Sequence, residues 1–309
     1  MSGTTERAIV VSALKHAAPY IRLFKRKVFV LKAGGEVFAD AESTRALMEQ
    51  VGILHQVGIR VVMVHGGGPQ STELAQALGV DAKFVEGRRV TDAESLNVSA
   101  MVLNGQINTR ILAACRDLGI QAVGISGVDA GLIRAHRRPP VHTDQGEVDY
   151  GFVGDIDGVD ADILRKQLDN GLMPVVSPLS ADPDGELLNI NADTVAAAIA
   201  AELDAEKLIL CTGAPGILAD ASDISSLVSY IDRAGLAELK ADGTLTDGML
   251  PKAAAIDQAL ANGVQRVHII SHRLPDSLLL EVFTNEGTGT LVVNSIDALT
   301  PAEQHGSAT

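Results

Sequence analysis

The chain has 309 residues and a formal net charge of −14, with 39 Asp and Glu against 25 Lys and Arg. That balance excludes a nucleic-acid backbone as partner, where affinity comes from clustered cations, and with no Trp and 3% aromatics stacking platforms are missing too. Hydrophobic residues make up 46%, enough for a large core, yet no apolar stretch reaches the roughly eighteen residues of a membrane span.

The first residues lack a basic region followed by an apolar one, so a cytoplasmic protein is expected. Residues 6–25 read as a helix whose apolar positions Val10, Leu14, Ala17, Ile21 and Phe24 step by four, three, four and three, with Pro19 expected to kink it. Such a seam packs on its own domain or on a second subunit.

From Lys27 the pattern alternates: strand 28–32, helix 42–57, strand 59–64, helix 69–79, a polar hairpin-like stretch at 83–91, one long helix from 92 to about 118, and strand 121–125. Residues 126–158 break this rhythm and read as short strands of a hairpin or lid. Helix 160–170, strand 173–176, a helix opening at Asn191, strand 207–211, helix 248–262, strand 266–271, helix 276–283 and a strand near 290–293 follow. Strand and helix alternation with β-branched apolar strands predicts a sheet covered on both faces. Cys115 and Cys211 have no metal-ligand spacing and read as buried free thiols.

Two of these strands stop on glycines: Lys32-Ala33-Gly34-Gly35 and His65-Gly66-Gly67-Gly68-Pro69. Bare backbone at the C-terminal edge of a parallel sheet offers N–H donors to an anion, and a helix N-terminus after Gly68 adds its dipole. Lys32 adds a cation on a flexible stem, suited to a phosphoryl group. Neither loop has the glycine spacing of a dinucleotide fingerprint or a Walker loop. By themselves the glycines are equally well explained as tight turns.

Further along stand Gly87-x-Arg89-Val-Thr, Gly151-Phe-Val-Gly-Asp155, Asn189-x-Asn191-Ala-Asp193 and Gly248-Met249-x-Pro-Lys252. Taken with the glycine loops, in this order and over residues 6–295, the set resembles the amino acid kinase family, and within it the members that phosphorylate N-acetyl-L-glutamate. The resemblance implies a three-layer αβα sandwich around a mostly parallel sheet of about eight strands. It implies an oligomerisation helix over 1–26, an acyl-amino-acid lobe over 27–179, a nucleotide lobe over 180–299 and a loose tail over 300–309.

The activity implied is ATP-dependent phosphorylation of the N-acetyl-L-glutamate side-chain carboxylate, a step of arginine biosynthesis, with Mg²⁺ carried by the nucleotide and no metal site of the protein's own. Lys32 and Lys252 match the lysines that neutralise the transferring phosphoryl group, and Asp193 the acid that holds them. Gly34, Gly35 and Gly66 would line the phosphate loops. Gly67, Gly68, Arg89 and Asn189 would take the substrate, Arg89 its α-carboxylate and Asn189 its acetamido group. Thr212, Gly213, Gly216, Gly248 and Met249 would contact the nucleotide. Tyr20, Glu281 and Gly287 match an arginine site of hexameric members, which implies a homo-oligomer, dimer or hexamer, through the N-terminal helix.

Three positions depart from the pattern: Glu36 follows the first glycine pair, Gly213 stands where an Asp is usual, and Asp276 where a His is usual. A kinase of an N-acylated aminoadipate, or a non-catalytic module that binds arginine or acetylglutamate, are the alternatives.

Overall fold

The apolar strands Val28–Ala33 and Arg60–His65 pair in parallel from Val28 against Arg60 to Ala33 against His65, so the glycines that follow them emerge side by side. A computed structural model puts this pair at the centre of an eight-stranded sheet. It describes residues 2–80, 83–85, 88–143, 146–245, 248–285 and 287–299, and of residues 2–6, 83–85, 88–89, 143 and 298 the backbone alone.

The strand order is Tyr230–Asp232, Thr290–Val293, Arg266–Ser271, Lys207–Thr212, Val28–Ala33, Arg60–His65, Met173–Ser177, Ala122–Ser126. Every neighbouring pair is parallel except Arg266–Ser271 with Thr290–Val293. The four strands that come before residue 180 form one half of the sheet and the four after it the other, and they meet where Val28–Ala33 pairs with Lys207–Thr212.

Successive side chains of a strand point to opposite faces, and here both faces are dry. Phe29, Leu31 and Met63 enter one buried cluster, Val30, Val62 and Val64 the other. That two-sided burial explains why the strands read as unbroken apolar runs. It also aims Lys32, two residues after Val30, at the face covered by the helices Ala192–Glu202 and Leu250–Ala261.

The segment after residue 126 folds into a second, four-stranded sheet ordered Leu187–Asn189, Leu179–Ala181, Ile133–Arg137, Gly154–Val159, with a hairpin of Val141–Thr143 and Gly146–Val148 beside it. The expected short strands are therefore present. The long helix expected over 92–118 differs in its interior. Ala93–Ala100 and Thr109–Asp117 are α-helical, and Met101–Asn108 between them is a π-helix. Wider turns keep an apolar face apolar, so periodicity alone does not reveal them. Strand Tyr230–Asp232 and helix Arg233–Ala241 fall in a stretch where no element was expected.

Helix Ser2–Phe24 runs through Pro19 without a break. Phe24 packs edge-on against Phe29, with centroids 5.2 Å apart, and Tyr20 bonds Asn285, while Val10 and Leu14 of the expected seam stay exposed. No helix among the described residues is long and apolar enough to cross a membrane. Cys115 and Cys211 are buried free thiols, the burial pushing both up to about 12.

Candidate active site

Asp193 sits in the first turn of helix Ala192–Glu202, whose cap is built by Asn191: its side-chain oxygen accepts the N–H groups of Asp193 at 2.8 Å and Thr194 at 3.2 Å. An acid in a first turn gains from the helix dipole, and this one also meets two cations. Lys32 Nζ lies 3.0 Å from its carboxylate and Lys252 Nζ 3.3 Å from both oxygens. All three residues are less than 10% exposed. Burial works to raise the Asp193 carboxyl, but Lys32 and Lys252 outweigh it and hold the group ionised, below its ordinary value. Burial, then the Lys32 charge, lower Lys252, against the pull of Asp193.

This cluster borders a cavity of about 480 Å³. Lys32, Asp193 and Gly34, Gly35, Gly66, Gly67 and Gly68 line it, and so does Asn189. Lys252 stands behind Asp193, and its neighbours Pro251 and Ala254 face the cavity instead.

The two glycine loops touch. A Cβ on Gly35 would come 2.9 Å from Gly67 Cα and 3.0 Å from Pro69, and Gln70 Nε2 donates to Gly35 O at 2.6 Å. None of the loop glycines takes a left-handed φ. What the missing side chains provide is close approach of two backbones, not unusual torsions. Gly67 is pressed from the other side by Leu103 and Ile107 of the π-helical stretch.

The same stretch supplies two amides, one exposed and one buried. Asn104 bonds Ser177, and Asn108 Nδ2 donates to His65 Nε2 at 3.1 Å and to Val175 O at 2.9 Å. Because Nε2 of His65 accepts, its proton is on Nδ1, which donates to Gly66 O at 3.2 Å. Desolvation lowers His65 to about 4, so the ring is neutral and steadies the second loop without adding charge.

Arg89 lies on strand Arg88–Val90, but its side chain, like Gly87, is outside the described residues. Its strand runs on to Thr91, whose N–H and C=O bond Tyr150 O and Phe152 N at 2.9 and 2.7 Å. Gly151, at φ +73°, passes so close to Thr91 O that a Cβ would overlap it. Asn189 N donates to Phe152 O at 2.9 Å on the other side. The Gly151-Phe-Val-Gly-Asp155 motif thus ties both expected substrate residues to one strand segment.

On the nucleotide side, none of Thr212, Gly213, Gly216, Gly248 and Met249 lines this cavity. Thr212 caps its own turn through Ala214, and Gly216 is buried beneath Thr290 and Leu227, where packing accounts for the missing side chain. Gly213 leaves room beside Arg273 Nη2 and His272 Nε2, 3.5 and 3.7 Å from where its Cβ would stand. Gly248 and Met249 precede the helix that carries Lys252.

Tyr20, Glu281 and Gly287 do not line the cavity: Tyr20 bonds Asn285, and a Cβ on Gly287 would stand 3.3 Å from Glu281 Oε2. Glu281 is not a free carboxylate. Oε1 takes His268 Nδ1 at 2.6 Å, Oε2 the Thr288 N–H at 2.7 Å, and His268 Nε2 contacts Lys207 Nζ at 2.8 Å. Burial would raise Glu281, but His268, Thr288 and Lys207 bring it down to about 2.

Glu36 folds its carboxylate back over Gly34, lines the cavity and lies close enough to Lys252 to raise it. Residues not expected from the sequence at the site are Arg138 and Tyr150 on the cavity wall, Asn108, which bonds His65 before the second glycine loop, and Asn104, which bonds Ser177. The spacing Asn104-x-x-x-Asn108, two amides one helical turn apart in an apolar stretch, is the signal that could have found the last two.

A model of the amino acid kinase family matches residues 27–271. An acetylglutamate kinase of Myxococcus xanthus is 48% identical over 288 residues, covering 91% of this chain and 94% of that protein. Among solved structures, N-acetylglutamate synthase from Neisseria gonorrhoeae, in complex with coenzyme A and N-acetyl-glutamate, superposes with a TM-score of 0.80 at 29% identity. The match covers 92% of this chain but 63% of the synthase. The same synthase with coenzyme A and L-arginine gives a TM-score of 0.79 at 28% identity, over 92% and 65% of the two chains.

Proposed function

The chain belongs to the amino acid kinase family, and from that premise we propose that it is an enzyme that phosphorylates the side-chain carboxylate of N-acetyl-L-glutamate with ATP. The observation that carries this reading is the meeting of Lys32 and Lys252 on Asp193 beside two touching glycine loops. Phosphoryl transfer demands in-line positioning and neutralised charge more than covalent help from the protein. Lys32 faces the cavity and neutralises the charge that builds on the transferring oxygens, while Lys252 acts from just behind. Asp193 keeps two like charges together that would otherwise repel. The N–H groups of the loop glycines act as an oxyanion hole.

The acyl-amino acid occupies the side of the half-sheet built before residue 180, met there by Arg89 from strand Arg88–Val90 and by Asn189 from the four-stranded sheet. ATP occupies the half built after, next to Gly213 and the helix of Lys252. The donor set fits phosphates: two ammonium groups and backbone N–H groups. Among the described residues no group of three or more His, Cys, Asp or Glu side chains could hold a metal ion. Asp193 is committed to lysines, so Mg²⁺ enters on the nucleotide's phosphates and supplies further neutralisation there.

A second copy of the chain is the partner assigned to the N-terminal helix, whose Ile9, Val10, Val11, Leu14 and Leu23 are each more than half exposed. The gathering of Tyr20, Glu281 and Gly287 favours a second ligand, arginine, at that end, supported by the similarity to a synthase solved with L-arginine. A guanidinium there must compete with His268 for Glu281.

ADP release measured in parallel with N-acetyl-L-glutamate, N-acetyl-aminoadipate and free glutamate tests the reading. Turnover is expected with the first. Preference for the second, or no turnover, overturns it in favour of a homologous substrate or a binding module.

A further inference from the structure

We infer that Arg138 is a second arginine of the acyl-substrate pocket and reads the carboxylate that does not react. The inference rests on the kinase reading above. Arg138 lines the cavity with Tyr150, Val153 and Asn189.

Its backbone is fixed first. Pro139 follows it, which confines Arg138 to extended torsions, and its N–H donates to Val153 O at 2.8 Å. The neighbouring Arg137 points the other way, to Asp149 and Gly151 O and over the ring of Phe152. Alternation along an extended chain therefore sends Arg138 inward.

Its side chain is fixed next. Asp155 takes one edge of the guanidinium, Nε at 3.0 and 3.1 Å and Nη2 at 2.6 Å. Nη1 bonds no described residue, and the Arg138 side chain is 19% exposed. The result is a half-buried fork with one edge anchored and its end available to the cavity. A planar carboxylate is what such a fork binds with two N–H groups.

The register says which carboxylate. Thr91, Asn189 and Arg138 all hang their backbones on segment Tyr150–Val153. Arg138, Asn189 and the strand that carries Arg89, through Thr91, thus attach to one and the same segment. The lysine cluster serves the reacting end of the same cavity. A ligand with an anionic group at each end, a dicarboxylate with an N-acyl group between, fits that distribution of charge.

The test compares N-acetyl-L-glutamate with its α-carboxamide in steady-state kinetics and in calorimetric binding. The unmodified chain is expected to prefer the acid by about 100-fold or more. In Arg138→Met the acid is expected to lose about 30-fold in kcat/KM while the amide changes little and the KM for ATP stays put. Arg138→Lys, which keeps charge without the fork, falls between, and Arg137→Met leaves the preference unchanged. Equal losses for acid and amide in both Arg138 variants, or no loss, would overturn the assignment and leave Arg138 as scaffold. Failure of the unmodified chain to turn over acetylglutamate would instead count against the kinase reading, and the acid-to-amide binding ratio still decides Arg138.

Discussion

Asn108 holds His65 in one tautomer: its amide donates to Nε2, so the imidazole proton is on Nδ1 and points at Gly66 O. A buried neutral histidine under a phosphate loop has a consequence for acid stability. Burial brings its folded value to about 4, below the ordinary imidazole value of 6.5. Between those values the unfolded chain binds a proton that the folded chain refuses, so stability falls as pH drops through that window and not above it.

The loss amounts to about 3 kcal/mol when the window has been crossed, at 1.36 kcal/mol per unit. His65→Asn removes the titration. Relative to the unmodified chain, the variant is expected to gain about 2–3 kcal/mol on going from pH 7.5 to 4.5, read from urea unfolding. Parallel pH profiles for the two proteins would show that His65 is not the group responsible.

The lysine pair gives a prediction on rate. In Lys252→Ala, Asp193 keeps Lys32 at 3.0 Å, so the fold survives while one neutralising charge is lost. A drop in kcat of about 10²–10³-fold is expected, with little change in the KM for acetylglutamate. Asp193→Asn is harsher, because two buried ammonium groups lose their counter-ion. A destabilisation of about 3–5 kcal/mol is expected alongside loss of activity, measured by denaturant unfolding. A Lys252→Ala enzyme with normal kcat and a raised substrate KM would remove Lys252 from the chemistry.

The glycine loops predict a graded steric effect. A Cβ on Gly67 meets the ends of flexible side chains, Ile107 at 2.7 Å and Leu103 at 2.8 Å, which can shift. A Cβ on Gly35 meets Gln70 Oε1 at 2.6 Å and, unlike one on Gly67, also backbone, Gly67 Cα at 2.9 Å. Neither glycine has a left-handed φ, so the comparison turns on what each Cβ would meet. Gly35→Ala is therefore expected to cost more than Gly67→Ala, each within about 1–3 kcal/mol. Thermal unfolding orders them, and the reverse order would mean that the loops do not touch as described.

Much of this was legible because the chemistry needs particular residue types in chain order. Lys32, Asp193 and Lys252 stand 161 and 59 positions apart, yet each ends a strand or starts a helix at the same sheet edge, where punctuation by Gly, Asn and Pro marks them. That the sheet is covered on both faces followed from the unbroken apolar strands, whereas its eight, mostly parallel strands were what the family resemblance implied. Arg138 was not legible, because its role depends on pairing with Asp155 across a hairpin, a contact that local periodicity does not encode. The π-helical stretch was hidden for a related reason: Val102, Leu103 and Ile107 keep the apolar face going while the turns widen beneath Asn104 and Asn108. Strand Tyr230–Asp232 is three residues long and carries no alternation to detect.

Glu36 supplies the last prediction. Its carboxylate lies over Gly34, on the wall that a phosphate must approach, and repels an anion there. It also raises Lys252 against the lowering by burial and Lys32. Replacing it with Gln separates the two effects. Without the like charge, the KM for ATP is expected to fall by about five-fold at low salt, and by less at high salt, where screening already hides the repulsion. Without its support, Lys252 drops further below its ordinary value. A lysine so lowered loses its proton earlier as pH rises, so the alkaline limb of kcat moves to lower pH in Glu36→Gln. Measuring kcat and the ATP KM from pH 7 to 10 at two salt concentrations checks both signs. An unchanged KM with an unchanged limb would place the Glu36 carboxylate away from both the phosphates and Lys252.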